Sequence, residues 1–208
     1  MNKKSNCCII AKMMCNVIFY LLNVFKKQSI YMKNKKKKAG VIWFTGLSGA
    51  GKTTLATQLA SWFKKQNIDH EFLDGEVFRY YLYLGLDYSR EDRKKKAIKI
   101  GYVTHLLNKH NIWVIVASIT AYRQDRAYIR KMINGKFIEI YVNCPLNVVK
   151  KRDTKGFYKK VAMGLEKNFS GIDSPYEPPI YPEIEVNTNK QTIAESFKII
   201  KDYISTKL

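Results

Sequence analysis

GVIWFTGLSGAGKTT, residues 40–54, decides the fold of this chain. Inside it, Gly46-Leu47-Ser48-Gly49-Ala50-Gly51-Lys52-Thr53 fits the phosphate-loop pattern G-x-x-x-x-G-K-[ST]. An apolar run, Val41 to Phe44, precedes the loop, and an amphipathic run with Leu55, Leu59, Trp62 and Phe63 follows it. Strand, loop and helix therefore come in the order the pattern needs. The glycines let backbone N–H groups turn inward around phosphate oxygens, and the positive end of the following helix adds to the attraction. In such a loop Lys52 reaches the β- and γ-phosphates, and the Thr53 hydroxyl supplies one ligand to Mg²⁺. The loop alone leaves kinase, GTPase and ATPase open.

Working outward, the first helix is expected to end near Gln66, and His70 to Leu73 reads as a second strand. That strand delivers Asp74-Gly75-Glu76 at its C-terminal end, the edge of an open α/β sheet where ligands sit. Two carboxylates beside a phosphate loop are placed to position Mg²⁺ or to accept a hydroxyl proton. The competing reading is that Asp74 only caps the next helix. Ser89, with Asp92 three residues on, starts a further helix bearing Ile98, Val103, Leu106 and Leu107. Arg93 lies in the first turn of that helix, where a cation is disfavoured unless an anion is near.

Ile112 to Ala117 is a continuous apolar run, as expected of a central parallel strand, and it opens into Ser118-Ile119-Thr120-Ala121-Tyr122-Arg123. Phe137 to Cys144 repeats the pattern, and Ile184 to Val186 is a weaker fifth strand. Thr192 to Glu195 caps a last helix. The fold expected is α/β, a three-layer P-loop NTPase type with a five-stranded parallel sheet. Asp153 to Tyr176, polar, basic and dotted with glycine, reads either as a solvated loop or as a lid segment over the phosphates, and a lid is the preferred reading.

The 208 residues suit one domain with an appendage. Of a formal charge of +20, half lies before Val41, in lysines with no acid among them. The remaining excess suits a pocket for two anionic nucleotides, and the chain is read as binding no nucleic acid. Four cysteines make neither a metal pattern nor a disulfide framework, so a cytoplasmic setting is expected. Residues 1–40 are set apart as an N-terminal extension, with 41–208 as the P-loop domain. Cys7 to Phe25 is apolar but broken by Lys12, Asn16 and Asn23. Three readings of the extension stand: an upstream stretch ahead of a start near Met32, a membrane-surface anchor, or a loose tail. The first is preferred over membrane contact.

Several stretches together resemble the adenylylsulfate (APS) kinase family, whose members phosphorylate the 3′-hydroxyl of APS to give PAPS. They are WFTGLSGAGKTT (43–54), LDGE followed by Arg79 (73–79), EDR (91–93), AYRQDR (121–126), RDTKGFYKK (152–160) and FSGIDSPYEPP (169–179). The resemblance implies that Gly46, Leu47, Ser48, Gly49, Ala50, Gly51, Lys52, Thr53 and Thr54 hold ATP with Mg²⁺ as cofactor. It implies an acceptor site lined by Glu76, Arg79, Tyr88, Arg93, Lys96, Ile119, Thr120, Lys155 and Phe169, with Arg123 in the substrate-side motif. Lys52, Asp74 and Thr120 are the catalytic candidates, with Asp74 orienting the 3′-hydroxyl. ATP and APS are the implied substrates and a homodimer the implied assembly.

Three positions depart from the family pattern. Glu76 stands for an aspartate and Lys96 for an asparagine. Thr120 stands where some members are described as carrying a phosphoserine, and direct in-line transfer is expected here. Lys96 leaves room for another acceptor, as in related capsule-biosynthesis enzymes that phosphorylate CDP-phosphoramidate. A non-catalytic nucleotide-binding protein is the remaining reading.

Overall fold

A computed structural model describes residues 38–208, apart from the side chain of Arg79. The expectations for residues 1–37 lie outside the described residues. Five strands form one sheet: β1 (Val41–Thr45), β2 (His70–Asp74), β3 (Trp113–Ala117), β4 (Phe137–Asn143) and β5 (Ile184–Asn187). Their order is β2-β3-β1-β4-β5, and every pairing is parallel. The five parallel strands expected from the sequence are all present, with bounds within a residue or so.

β1 and β3 are buried at every position because helices cover both faces of the sheet. Alternation along β1 sorts the core in two. Ile42 and Phe44 join Leu55, Leu59, Phe63, Ile200 and Ile204, under helices α1 (Lys52–Lys65) and α7 (Ile193–Ser205). Val41 and Trp43 join Ile100 and Ile129, under α3 (Arg90–Lys109) and α4 (Arg123–Ile133). Three short helices complete the set: α2 (Val77–Tyr81), α5 (Leu146–Arg152) and α6 (Phe157–Ala162).

Two of the helix starts carry side-chain caps. The Ser89 hydroxyl accepts from the Asp92 N–H at 3.3 Å, and Thr192 with Glu195 forms a full capping box. The Asp153–Tyr176 stretch contains a helix that its polar composition hid. Asp153 accepts from the backbone N–H of Tyr158 at 3.1 Å and of Lys159 at 2.9 Å, and so caps α6 from outside. Among the described residues no helix is long and apolar enough to cross a membrane.

Candidate active site

The loop between β1 and α1 bends where only glycine is comfortable. Gly46 has φ +150°, and a Cβ there would lie 2.4 Å from the Val142 carbonyl oxygen of β4. Gly51, at φ +101°, turns the chain into α1. The turn puts Lys52 on the first residue of α1, where it is 9% exposed and donates to the Leu47 carbonyl at 2.8 Å. Burial draws the Lys52 amine down to about 8, and the neighbouring charge of Lys155 adds to this, against the pull of Glu76 and Asp74.

The C-terminal end of β2 faces this loop. The Thr53 hydroxyl donates to Asp74 Oδ2 at 2.8 Å, and Asp74 Oδ1 accepts from the Glu76 N–H at 2.8 Å. Asp74 is thus tied to the phosphate loop as well as to its own turn. Glu76 Oε1 lies 2.6 Å from Lys155 Nζ, an ion pair between the β2 edge and the lid segment.

A cavity of about 500 Å³ opens over these ends, and loop residues 48–54, Asp74, Glu76 and Lys155 line it. Tyr88, Arg93, Lys96, Ile119, Thr120 and Phe169 line it from the other side. Arg93 donates through Nε to the Tyr88 carbonyl at 2.9 Å and through Nη2 to the Asn168 carbonyl. Two neutral carbonyls therefore offset the placement of Arg93 in the first turn of α3, and the helix is tied to the lid. One turn on, Lys96 lies 4.9 Å over the Tyr88 ring and donates to the Asp87 carbonyl. Phe169 is buried against Phe157 and Tyr158, with ring centroids 5.9 and 5.1 Å away.

Thr120 takes φ +38°, unusual for a β-branched residue, and its hydroxyl donates to Ser118 Oγ at 3.1 Å. Arg126 holds this turn from behind. It is 4% exposed, donates to the Thr120 and Glu177 carbonyls at 2.7 Å each, and lies 2.7 Å from Glu139 Oε1 in β4. Arg130 and Glu183 extend the network at 2.6 Å.

Three expected residues stand elsewhere. Arg123 does not line the cavity: its N–H donates to Glu177 Oε2 at 2.8 Å and its Nε to the Pro178 carbonyl at 2.7 Å, because the start of α4 aims it at that segment. Gly46 and Leu47 form the root of the loop rather than the cavity wall. The Arg79 side chain lies outside the described residues.

The sequence reading missed the far wall, made by Arg152, Thr188, Gln191, Thr192 and Ile193. Thr188 donates to the Ala50 carbonyl at 2.8 Å, and Arg152 donates to the Thr188 carbonyl at 2.6 Å. A signal was present, since Thr188 directly follows β5 at the same sheet edge that carries Asp74 and Ser118.

The family model described as Adenylylsulphate kinase matches residues 38–187. The chain belongs to the adenylylsulphate kinase family. Among relatives, the adenylyl-sulfate kinase of Gloeothece citriformis is 45% identical over 161 residues, covering 77% of this chain and 91% of that protein. The Mycobacterium tuberculosis APS kinase, solved in complex with AMPPNP and APS, superposes with a TM-score of 0.77 at 31% identity, covering 81% of this chain and 98% of that one. A hexameric APS kinase from Thiobacillus denitrificans superposes at 0.62 with 30% identity, covering 82% of this chain and 30% of that one. These APS kinase similarities extend over the loop, the β2 edge, the α3 start and the lid described above.

Proposed function

We propose that this protein transfers the γ-phosphoryl group of ATP to the 3′-hydroxyl of APS, giving PAPS and ADP, in sulfate assimilation. The observation that carries the reading is one cavity shared by Lys52, on the phosphate loop, and by Arg93 and Phe169 opposite it. A relative whose structure holds AMPPNP and APS supports the same pair of substrates.

The roles follow from the chemistry of each group. Loop amides and Lys52 grip the donor phosphates, and Arg152 with Thr188, Gln191, Thr192 and Ile193 forms the wall where the donor base fits. Phe169 offers a buried ring face to the acceptor base, and Arg93 and Lys96 offer cations to its anhydride. Asp74 orients the 3′-hydroxyl and takes its proton as the bond forms. Lys155 exchanges Glu76 for transferring charge. Thr120 aligns the acceptor without a covalent step, and Tyr88, Ile119 and Glu76 shape the rest of its site.

The donor set fits Mg²⁺. The Thr53 hydroxyl and the Asp74 carboxylate, 2.8 Å apart, are hard oxygen groups of the kind that hold it, directly or through water, beside a phosphate chain. Bound there, Mg²⁺ would supply positive charge against the charge on the transferring phosphoryl group.

Incubation with Mg-ATP and APS should give PAPS. No PAPS, with ATP turned over on CDP-phosphoramidate instead, would reassign the acceptor. Lys96 in the cavity wall is the observation that favours that second reading.

Residues 41–208 act as the kinase domain and residues 1–40 as an extension, tested by assaying the shortened chain. The working assembly is a homodimer, for which the exposed Val77, Tyr80, Tyr81 and Leu84 provide an apolar face. Light scattering of the purified protein tests it. Buried, unpaired Cys144 suits a cytoplasmic setting, and cell fractionation checks that.

A further inference from the structure

A phosphate loop works through its N–H groups, so the carbonyls of the same peptides need partners elsewhere. Three of them take a side-chain donor here. Lys52 Nζ takes the Leu47 carbonyl at 2.8 Å, Thr188 Oγ1 takes that of Ala50 at 2.8 Å, and the Tyr158 hydroxyl takes that of Ser48 at 2.9 Å. Tyr158 is the one of these three that belongs to the lid, on α6, and it is only 7% exposed.

The Ser48–Gly49 peptide is trans, as are all described peptides. In a trans peptide the C=O and the following N–H point in opposite directions. A Ser48 carbonyl drawn toward Tyr158 therefore sends the Gly49 N–H the other way, and Gly49 lines the cavity. The same tyrosine reaches the opposite half of the site, because its ring meets Phe169 edge-on at 5.1 Å and 79°. Burial, then the charge of Asp153, pushes its phenol well above the ordinary value, so it stays a donor throughout the physiological range.

We propose that Tyr158 is a positioning residue: it holds the Ser48–Gly49 peptide in its phosphate-binding orientation and makes that orientation depend on the lid being in place. The inference rests on the reading of the loop as the ATP site. It adds that the lid shapes the donor site from below, through a carbonyl, rather than only covering it. Without the hydroxyl, a buried carbonyl lacks its donor and the peptide turns to find another. Phosphate-bearing ligands then lose an amide, while the ring still packs on Phe169.

The test uses Tyr158→Phe and Tyr158→Leu in the full chain, with ATP, inorganic tripolyphosphate and APS titrated calorimetrically. The fitted stoichiometry counts folded protein, so a partly folded variant still returns a Kd. Tyr158→Phe should weaken ATP and tripolyphosphate about five- to tenfold, raise KM for ATP by the same factor, and leave kcat and APS affinity within about twofold. Tyr158→Leu should weaken APS as well. If Tyr158→Phe binds ATP and tripolyphosphate as wild type does, whatever its melting temperature, the proposal is overturned. A wild-type protein that binds no ATP would instead reject the reading of the site itself.

Discussion

Replacing Lys52 by methionine should abolish phosphoryl transfer and, at neutral pH, make the ligand-free protein more stable. The amine is drawn from 10.5 to about 8, first by burial and then by Lys155. At about 1.4 kcal/mol per pH unit, folding the charged form costs about 3 kcal/mol. Methionine fills much the same space without the charge, and it forfeits the 2.8 Å bond to Leu47, worth about 1 kcal/mol. The net gain near pH 7 is about 2 kcal/mol, which raises Tm by about 4–8 °C in a domain of this size.

The pH dependence carries the sign. Below pH 8 both folded and unfolded Lys52 hold the proton, and wild type bears the full cost. Between about 8 and 10.5 the unfolded chain binds more protons than the folded one, so wild-type stability rises with pH and the advantage of the variant shrinks. Urea unfolding of both proteins from pH 6 to pH 10 measures the difference directly, since every other titrating group is shared. A variant less stable than wild type at pH 7, or a gap that does not narrow toward pH 10, would refute the argument.

Other perturbations separate the parts of the site. Asp74→Asn should lower kcat by about 10²-fold or more and raise the Mg²⁺ concentration needed for half-activity about tenfold, as read from a Mg²⁺ titration at fixed ATP. An unchanged Mg²⁺ requirement would separate Asp74 from the metal. Phe169→Ala should raise KM for APS about tenfold or more while KM for ATP moves less, because a base stacked on an aromatic ring gains about 1–3 kcal/mol. Equal loss for both substrates would mean the ring only supports the lid. Arg126→Leu leaves Glu139, 8% exposed in β4, with only the longer 3.5 Å pair to Arg130, and should cost up to about 3–5 kcal/mol in urea unfolding. Arg126→Leu with Glu139→Leu should recover part of it, and a double variant no better than the single one would deny that the charge is the cause.

The strands were legible because β1 and β3 are continuous apolar runs of the length a buried parallel strand needs, β4 is one broken only by Glu139, and each ends in a small or polar residue. The phosphate loop was legible because its conformation is dictated locally, by glycine. α2 and α6 are five and six residues long, too short to show a helical period, and α6 starts on a capping Asp153 set back from its first turn. The Arg126–Glu139 pair joins a helix to a strand that follows it, so spacing gave no hint. The warning was an acid inside the apolar run FIEIYVN, which asks for a buried cation. Arg123 and Arg126 share one motif three residues apart, and only three-dimensional packing shows that both hold the 177–178 segment while Arg126 alone also props the Thr120 turn.

The strand that bears the phosphate loop is the earliest of the described strands in the chain and the middle one in the sheet, with neighbours that arrive much later, at Val114 and Phe137. During synthesis the hydrophobic ribbon Val41–Thr45 therefore has no strand partner until β3 emerges, and its second edge stays open until Phe137 and the residues after it follow. ATP has no complete site over that interval, because the cavity wall of Arg152, Thr188 and Gln191 comes later still in the chain. Nucleotide can stabilise the finished kinase but cannot template it.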